Sequence, residues 1–147
     1  MEVLPHFWIA FYKENLTIIK TKKIKNIIHL SKYEPFIKKN DIDEIRIPID
    51  YEENQTLEIQ NNIMYQHLYD ITDYIHDKII NNSNILLLGY NNKQDIDTIV
   101  VAYFIKYGKL SIRDALLCYK SKKENIFDDK CMFYPALNKF YNYNIKI

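Results

Sequence analysis

The chain has 147 residues, 48% of them hydrophobic and 27% charged, a composition that can bury the core of one domain. A formal net charge of +1 excludes a general electrostatic attraction to nucleic acid or to an anionic membrane. Because two cysteines make no disulfide framework and no signal peptide or transmembrane-length apolar run is visible, we expect a single domain over residues 1–147 in a reducing, cytoplasmic setting.

The N-terminal part of the chain alternates short apolar runs with polar segments. Phe7–Phe11, residues 27–30 and residues 44–49 are short, apolar and partly β-branched, which predicts three strands. The lysine-rich segment 16–25 predicts a short helix or turn between the first two strands. An acidic loop over residues 50–54 closes the third strand.

Helical patterns around one very apolar strand dominate the rest of the chain. Apolar residues recur at helical spacing over residues 56–80, which predicts a long amphipathic helix. Its stripe consists of Ile59, Ile63, Leu68, Ile71, Ile75 and Ile79. Residues 85–88 are all apolar, as in a central parallel strand covered on both faces. Further helices are predicted over residues 95–107, after the N-cap Ser111 and over residues 129–141. The pattern predicts an α/β fold with a central, mostly parallel sheet of four or five strands flanked by helices.

The stretch from Ile85 to Tyr103 reads as a strand, a tight loop and a helix. It resembles the dual-specificity phosphatase signature, V-L-V-H-C-x-x-G-x-S-R-S-x-T-I-V-x-A-Y-L, in the strand and in the T-I-V-x-A-Y helix. Weaker similarities to the family follow in the right order over residues 3–9, 24–31, 47–49, 111–123 and 133–140. The resemblance covers essentially the whole chain and implies the cysteine-based phosphatase fold.

The same resemblance implies that the signature loop is degenerate. Gly89 stands where the family has its nucleophilic cysteine, and Asp95 stands where an arginine holds the phosphate oxygens. Asn92 replaces a loop glycine. The family's STYX-like pseudophosphatases share the glycine but keep the arginine. Because Asp95 exchanges a cation for an anion, we expect no phosphate in the former active site.

The other chemical positions of the family are also altered. The general-acid position, three residues after Pro48, is Tyr51, with Asp50 and Glu52 on either side. Neither of the two cysteines, at positions 118 and 131, is followed six residues later by an arginine, so we expect both to be packing residues. The chain is therefore expected to be no enzyme and to need no cofactor.

Two further clusters have plain structural explanations. His67, Asp70, Asp73, His76 and Asp77 lie on one predicted helix, and a metal site would need a second element converging on them. We expect a solvated polar face and no metal. The aromatic tail, residues 140–145, either packs back on the domain or offers an exposed patch.

The expected function is that of a catalytically inactive, STYX-like member of the family that binds a protein as a scaffold, decoy or competitor. Tyr51, Tyr90 and Lys93 are expected to border the binding face, with no nucleic-acid or membrane partner. A homodimer, a hydrolase or phosphatase with an unrecognised nucleophile, and a structural self-associating protein stay open as alternatives. The abundance of isoleucine, asparagine, lysine and tyrosine is typical of an AT-rich genome, so the host cytoplasm or a virion is the expected location if the source is viral.

Overall fold

A central five-stranded sheet organises the molecule in a computed structural model that describes residues 1–49, 54–127 and 130–145. The strands are β1 (Glu2–Leu4), β2 (Phe7–Phe11), β3 (Asn26–Leu30), β4 (Asp43–Ile47) and β5 (Ile85–Gly89). Their order across the sheet is β1-β2-β5-β3-β4. Only the β1–β2 pair is antiparallel among these strands, so the predicted α/β fold with a mostly parallel sheet is confirmed.

Strand β5 forms the centre of the sheet. It pairs in parallel with β2 on one side and with β3 on the other, and all five of its residues are buried. Successive side chains of a strand point to opposite faces, so Leu87 belongs to the larger core while Leu86 and Leu88 belong to the smaller one. This two-sided burial explains why residues 85–88 carry no polar position.

Helices cover the sheet unequally on its two faces. They are α1 (Ile18–Thr21), α2 (Leu57–Ile80), α3 (Lys93–Tyr107), α4 (Ile112–Lys120) and α5 (Tyr134–Ile145). Helices α2 to α5 contribute to the larger core, whereas α1 contributes Ile19 to the smaller core on the opposite face. Within the described ranges, no helix combines the length and apolarity needed to cross a bilayer.

Polar side chains cap the starts of α2 and α4. Thr56 and Ser111 accept hydrogen bonds from Ile59 N (3.2 Å) and Asp114 N (3.1 Å), which confirms Ser111 as an N-cap.

Helix α3 ends at Gly108, where a Cβ would lie 2.5 Å from the carbonyl oxygen of Phe104. A side chain at this position would displace backbone, so the turn after α3 requires glycine.

Some predicted boundaries are wrong. The last helix begins at Tyr134 rather than near residue 129, and Pro135 lies in its first turn, where a missing amide hydrogen costs nothing. Ile59 is 45% exposed, and the buried stripe of α2 uses Asn61 instead. The Asn61 side chain donates to Met132 O (3.0 Å) and accepts from Ala136 N (2.9 Å), which attaches α5 to α2. The aromatic tail packs back through its buried Phe140.

Candidate functional site

The signature-loop positions lie at the carboxyl edge of the sheet. Gly89 is the last residue of β5, and Asn92 is the N-cap of α3. Ligands of open parallel α/β sheets bind at this edge, outside the strand ends. The structure thus places the predicted loop where a phosphate site would be expected.

The space for a side chain at position 89 is already filled. A Cβ built on Gly89 would lie 2.7 Å from Ile96 Cδ1 and 2.8 Å from Ile96 Cγ1. Both Gly89 and Ile96 are buried. The first turn of α3 therefore packs against the strand end where the family holds its nucleophile.

Two backbone amides at the start of α3 donate hydrogen bonds to a residue of the loop. Asn92 Oδ1 accepts a hydrogen bond from Gln94 N (2.9 Å), and Asp95 N donates to Asn92 O (3.0 Å). Amides at a helix N-terminus are the groups that bind phosphate in related architectures. Here a side-chain oxygen of the loop occupies one of those donors.

Asp95 is fully buried in the first turn of α3. An anion there is favoured by the positive end of the helix dipole. It is also the charge that an incoming oxyanion would meet. That the loop takes no phosphate stays a prediction.

The loop is tied to the segment that precedes α5. Gln94 Oε1 accepts from Met132 N (2.9 Å), and Gln94 Nε2 donates to Phe127 O (3.4 Å). Asn92 Nδ2 lies 3.1 Å from the sulfur of Met132. These contacts fix the loop to the segment before α5, on the face of the sheet that the larger helices cover.

Asp97 is a buried junction that the sequence analysis did not single out. It accepts hydrogen bonds from Tyr119 Oη (2.6 Å), Lys123 Nζ (3.1 Å) and Phe127 N (2.9 Å). Burial and the Asp97 charge raise the pKa of Tyr119, which keeps that hydroxyl a donor. Asp97 thereby joins α3 to the end of α4 and to the chain beyond it. No local sequence signal marks such a junction.

A second buried network reaches the residue after Gly89. The Tyr90 hydroxyl lies 2.6 Å from His29 Nδ1, and His29 Nε2 lies 2.7 Å from Glu44 Oε1. Burial tends to raise the pKa of Glu44, but hydrogen bonds from Ile37 N, His29 and Lys38 N outweigh it and lower that pKa. Burial lowers the pKa of His29, so the neutral ring donates from Nε2 and accepts the Tyr90 proton at Nδ1.

Three tyrosines follow the carboxyl ends of neighbouring strands, two of them directly and the third after two further residues. Tyr12 follows β2 and is 40% exposed, Tyr33 follows β3 and is 84% exposed, and Tyr90 follows β5 and is half-buried. The rings of Tyr12 and Tyr90 stack with centroids 5.4 Å apart. Exposed Lys93 holds its ammonium 5.5 Å from the centroid of the Phe11 ring. We call Tyr12, Tyr33, Tyr90 and Lys93 the tyrosine face.

The predicted binding face is only partly brought together. Tyr90 and Lys93 lie at this edge, but the hydroxyl of Tyr90 is turned inward to His29 rather than outward to solvent. Tyr12 and Tyr33 were missed, although Tyr12 directly follows an apolar strand and Tyr33 lies three residues after the end of another, which is a usable signal. The acid loop, with Asp50, Tyr51 and Glu52, lies outside the described residues.

The predicted solvated face of α2 is wrong for two residues, because α3 packs beside it. Asp73 accepts hydrogen bonds from Lys106 and Tyr107. His76 stacks on the Tyr107 ring at 3.7 Å and contacts Tyr103 Oη through Nδ1 at 2.9 Å. Among the residues that the structure describes, no three His, Cys, Asp or Glu side chains converge to hold a metal ion.

The cysteines are both free and half-buried. Burial raises the pKa of Cys131 to about 11, so its sulfur is a thiol rather than a thiolate at neutral pH. Cys131 is therefore a poor substitute for a signature-loop nucleophile.

The arrangement of strands, loop and helices is the fold of the dual-specificity phosphatases. The structure superposes on human DUSP28 with a TM-score of 0.74 at 15% identity, covering 96% of this chain and 94% of that one. It matches the human tyrosine phosphatase-like serine/threonine/tyrosine-interacting protein with a TM-score of 0.74 at 14% identity, covering 98% and 96%. For DUSP15 the TM-score is 0.69 at 20% identity, covering 99% and 94%. The predicted resemblance is confirmed for the fold.

One relative is similar in sequence. It is the putative tyrosine phosphatase 123R of Invertebrate iridescent virus 6, 31% identical over 68 residues, or 46% of this chain. The match spans 48% of that relative's length. No family model matches the chain.

These comparisons overturn one expectation from the sequence. We expected from Gly89 and Asp95 that the chain is no enzyme, but the viral relative and solved structures such as DUSP28 and DUSP15 belong by name to the phosphatases. The expectation of a non-enzyme is therefore contradicted.

Proposed function

We propose that the chain, as a single domain over residues 1–147, binds a protein partner through the tyrosine face. The observation that carries the proposal is the stacked pair of Tyr12 and Tyr90 at the carboxyl edge of the sheet. Exposed Tyr33 follows the neighbouring strand β3, and exposed Lys93 begins α3 at the same edge. Tyrosine supplies a large, rigid contact area and is enriched at protein interfaces. A partner surface with acidic and apolar groups would complement this face.

The surroundings of the tyrosine face support a binding role. The helix amides behind it are engaged by Asn92, and the loop is held by Gln94 and its bonds to the 127–132 segment. A rigid loop keeps a binding surface organised before the partner arrives, which lowers the entropic cost of association. Because the fold is that of the dual-specificity phosphatases, the bound partner would be one that such a phosphatase also meets, which makes the chain a scaffold, decoy or competitor.

The proposed setting is the reducing cytoplasm of a host cell, where the half-buried thiols of Cys118 and Cys131 stay unpaired. The viral relative suits this setting. Self-association through the same face, as a homodimer or within a particle, is the other mode that the test separates.

The test compares the proteins captured by matched variants in the cells that make this chain. Tyr33→Ala with Lys93→Glu alters two exposed residues of the tyrosine face, and Tyr143→Ala alters a tyrosine that is 47% exposed on α5. We expect the double variant to lose a partner that the wild type and Tyr143→Ala retain, with unchanged melting temperatures. Equal capture by all three proteins would refute the proposal, and loss of a second copy of the chain alone would indicate self-association.

A second candidate is a phosphatase or related hydrolase with a nucleophile other than position 89, which the names of the relatives favour. Tyr90 follows Gly89 in the chain, and its hydroxyl hydrogen-bonds to a neutral histidine that Glu44 orients, an arrangement by which a base can take the proton of a hydroxyl. Burial raises the pKa of Tyr90 to about 12, so this nucleophile would depend on His29 to remove its proton. The Tyr90 oxygen would form a bond to phosphorus as the ester P–O bond breaks, its proton would pass to His29, and the leaving oxygen would take a proton from solvent. Water would then release inorganic phosphate from the tyrosine and restore the hydroxyl.

Hydrolysis of an aryl phosphate tests this second candidate. Turnover above the buffer rate that is lost in Tyr90→Phe, and a phosphotyrosine detected at position 90 by mass spectrometry, would support it. Tyr12→Phe is the matched control, since its ring stacks on Tyr90 without joining the histidine network. Turnover that survives Tyr90→Phe, or no turnover by the wild type, rejects Tyr90 as the nucleophile.

A further inference from the structure

An apolar groove runs between α4 and the segment that leads into α5. Its cavity has a volume of about 430 Å³. Ile112, Leu116 and Ile126 line it together with buried Phe127. It belongs to the helical layer of the domain, so it is separate from the tyrosine face.

The walls of the groove expose apolar surface that the domain does not use. Helix α4 turns Ile112, Ala115 and Tyr119 into the core. Leu117 is nevertheless 54% exposed, and Tyr134 across the groove is 50% exposed. A concave apolar patch with half-exposed walls is typical of an interaction site.

The charged residues that line the groove, in the part of the chain that the structure describes, are basic. Arg113, Lys120 and Lys130 line it, all three are exposed, and none of its lining residues in the described part of the chain is acidic. None of the three forms a salt bridge with another described residue. Arg113, Leu117 and Lys120 follow the i, i+4, i+7 spacing, so they share one face of α4. Apolar and cationic groups are therefore presented together.

We propose that this groove binds an amphipathic helix of a partner protein, with acidic residues beside its apolar stripe. Apolar anchors at helical spacing would fill the cavity between Leu117 and Tyr134, and the acids would pair with Arg113, Lys120 and Lys130. A drug-sized ligand normally has most of its surface buried in its site. The walls of this groove are half-exposed, so they would not enclose such a ligand. A helix lying along the groove covers those walls. The charge complementarity selects an acidic helix over a basic one.

The probe is a fluorescein-labelled, lactam-bridged helical peptide with leucines at i, i+4 and i+7 and glutamates beside them. Two control peptides replace the glutamates with lysines or the leucines with serines. By fluorescence anisotropy, we expect the acidic probe to bind at least about tenfold more tightly than either control, and its affinity to fall as salt is added. Equal binding by the acidic and lysine probes would overturn the proposal.

Matched variants locate the binding on the protein. Leu117→Ser and Lys120→Glu should each weaken the acidic probe about tenfold, the loss expected for a central interface residue. Ile80→Ser, at a position 61% exposed at the end of α2, and Lys20→Glu on α1 are the controls and should change nothing. All four positions are exposed or at the surface, so melting temperatures should match.

Two other results would also overturn the proposal. Unchanged probe binding by Leu117→Ser and Lys120→Glu would place any binding elsewhere. Sedimentation that shows a dimer dissolved by Leu117→Ser, in a protein that binds no probe, would assign the groove to a second copy of the chain. The proposals for the groove and for the tyrosine face can be refuted independently, because the variants that alter one surface leave the other surface intact.

Discussion

At the scale of single residues, Gly89 and Ile96 act as a pair. The buried isoleucine occupies the space that a side chain at position 89 would need. Its Cδ1 lies 2.7 Å from the position that a Cβ of residue 89 would take. The end of an isoleucine side chain can move, but Cγ1 at 2.8 Å is nearer its fixed backbone. The loop therefore resists a cysteine at position 89, the residue that the dual-specificity phosphatase signature has there.

Gly89→Cys should lower the free energy of unfolding by about 1–3 kcal/mol, the usual cost of overpacking a core. Urea denaturation measures this, and the penalty should shrink by about 1 kcal/mol in an Ile96→Ala background, where the contact is removed. An equal penalty in both backgrounds would show that Ile96 is not the cause.

The Tyr90–His29 hydrogen bond should stabilise the fold. Tyr90→Phe leaves a buried imidazole nitrogen without its partner, which should cost about 1–3 kcal/mol. The matched change Tyr33→Phe, at a position 84% exposed, should cost nothing measurable. Equal stabilities for the two variants in urea would mean that the hydroxyl of Tyr90 contributes no stability.

His29 should make stability depend on pH. Burial lowers its folded-state pKa below the ordinary value of 6.5, so the unfolded chain binds the proton more readily. The stability contributed by neutral His29 is present above pH 6.5 and is lost as the pH falls through the folded-state pKa. The wild type should therefore lose more stability than His29→Gln on acidification from neutrality. Parallel pH profiles of the two proteins would exclude this role.

At the scale of elements, the end of α4 and the chain after it depend on α3. Tyr119, Lys123 and Phe127 all donate to Asp97, and Gln94 holds Phe127 and Met132 from the same helix. Helix α3 thus connects the signature loop to the groove, since Phe127 also lines the latter.

One unsatisfied buried hydrogen-bonding group costs about 1–3 kcal/mol. Asp97→Ala should lower the free energy of unfolding by more than this single cost, because it leaves more than one donor without its acceptor. Hydrogen exchange should rise at the Phe127 amide, which loses its bond to the carboxylate. Asp70→Ala, at an exposed position on α2, is the control and should leave both readouts unchanged. Unchanged exchange at Phe127 would contradict the junction.

Hydrophobic patterning was enough to predict most elements. Strands β2, β3 and β5 and the helices α2 and α3 follow from apolar periods and helix caps, which are local properties of the sequence. Strand β1 was missed, because three residues carry too little pattern. The start of α5 was misplaced because burial of Phe133 and Phe140, rather than propensity, fixes that helix.

The candidate site was less predictable. The loop positions followed from the resemblance, but the Tyr90–His29–Glu44 network joins residues far apart in the chain. Ile96 fills the space beside Gly89 only because the first turn of α3 packs closely against the end of β5. Such contacts have no signature in one sequence, because they arise only when the sheet order is known.

At the scale of the whole molecule, the dual-specificity phosphatase fold is kept at low sequence identity. The TM-score to human DUSP28 is 0.74 although only 15% of residues are identical. Core positions tolerate exchange of apolar residues when volume and patterning are kept. The fold therefore does not by itself determine what the surface and the loop of this chain do.

The central proposal, a protein interface at the tyrosine face, is tested most directly by a photo-crosslinker. Benzoylphenylalanine in place of Tyr33, 84% exposed, or in place of Tyr143, 47% exposed, would be activated in cells that make the chain. We predict a discrete crosslinked protein from position 33 that is absent from position 143 and is lost when Lys93→Glu is added. Crosslinks of equal yield from both positions, or none from position 33, would contradict the account.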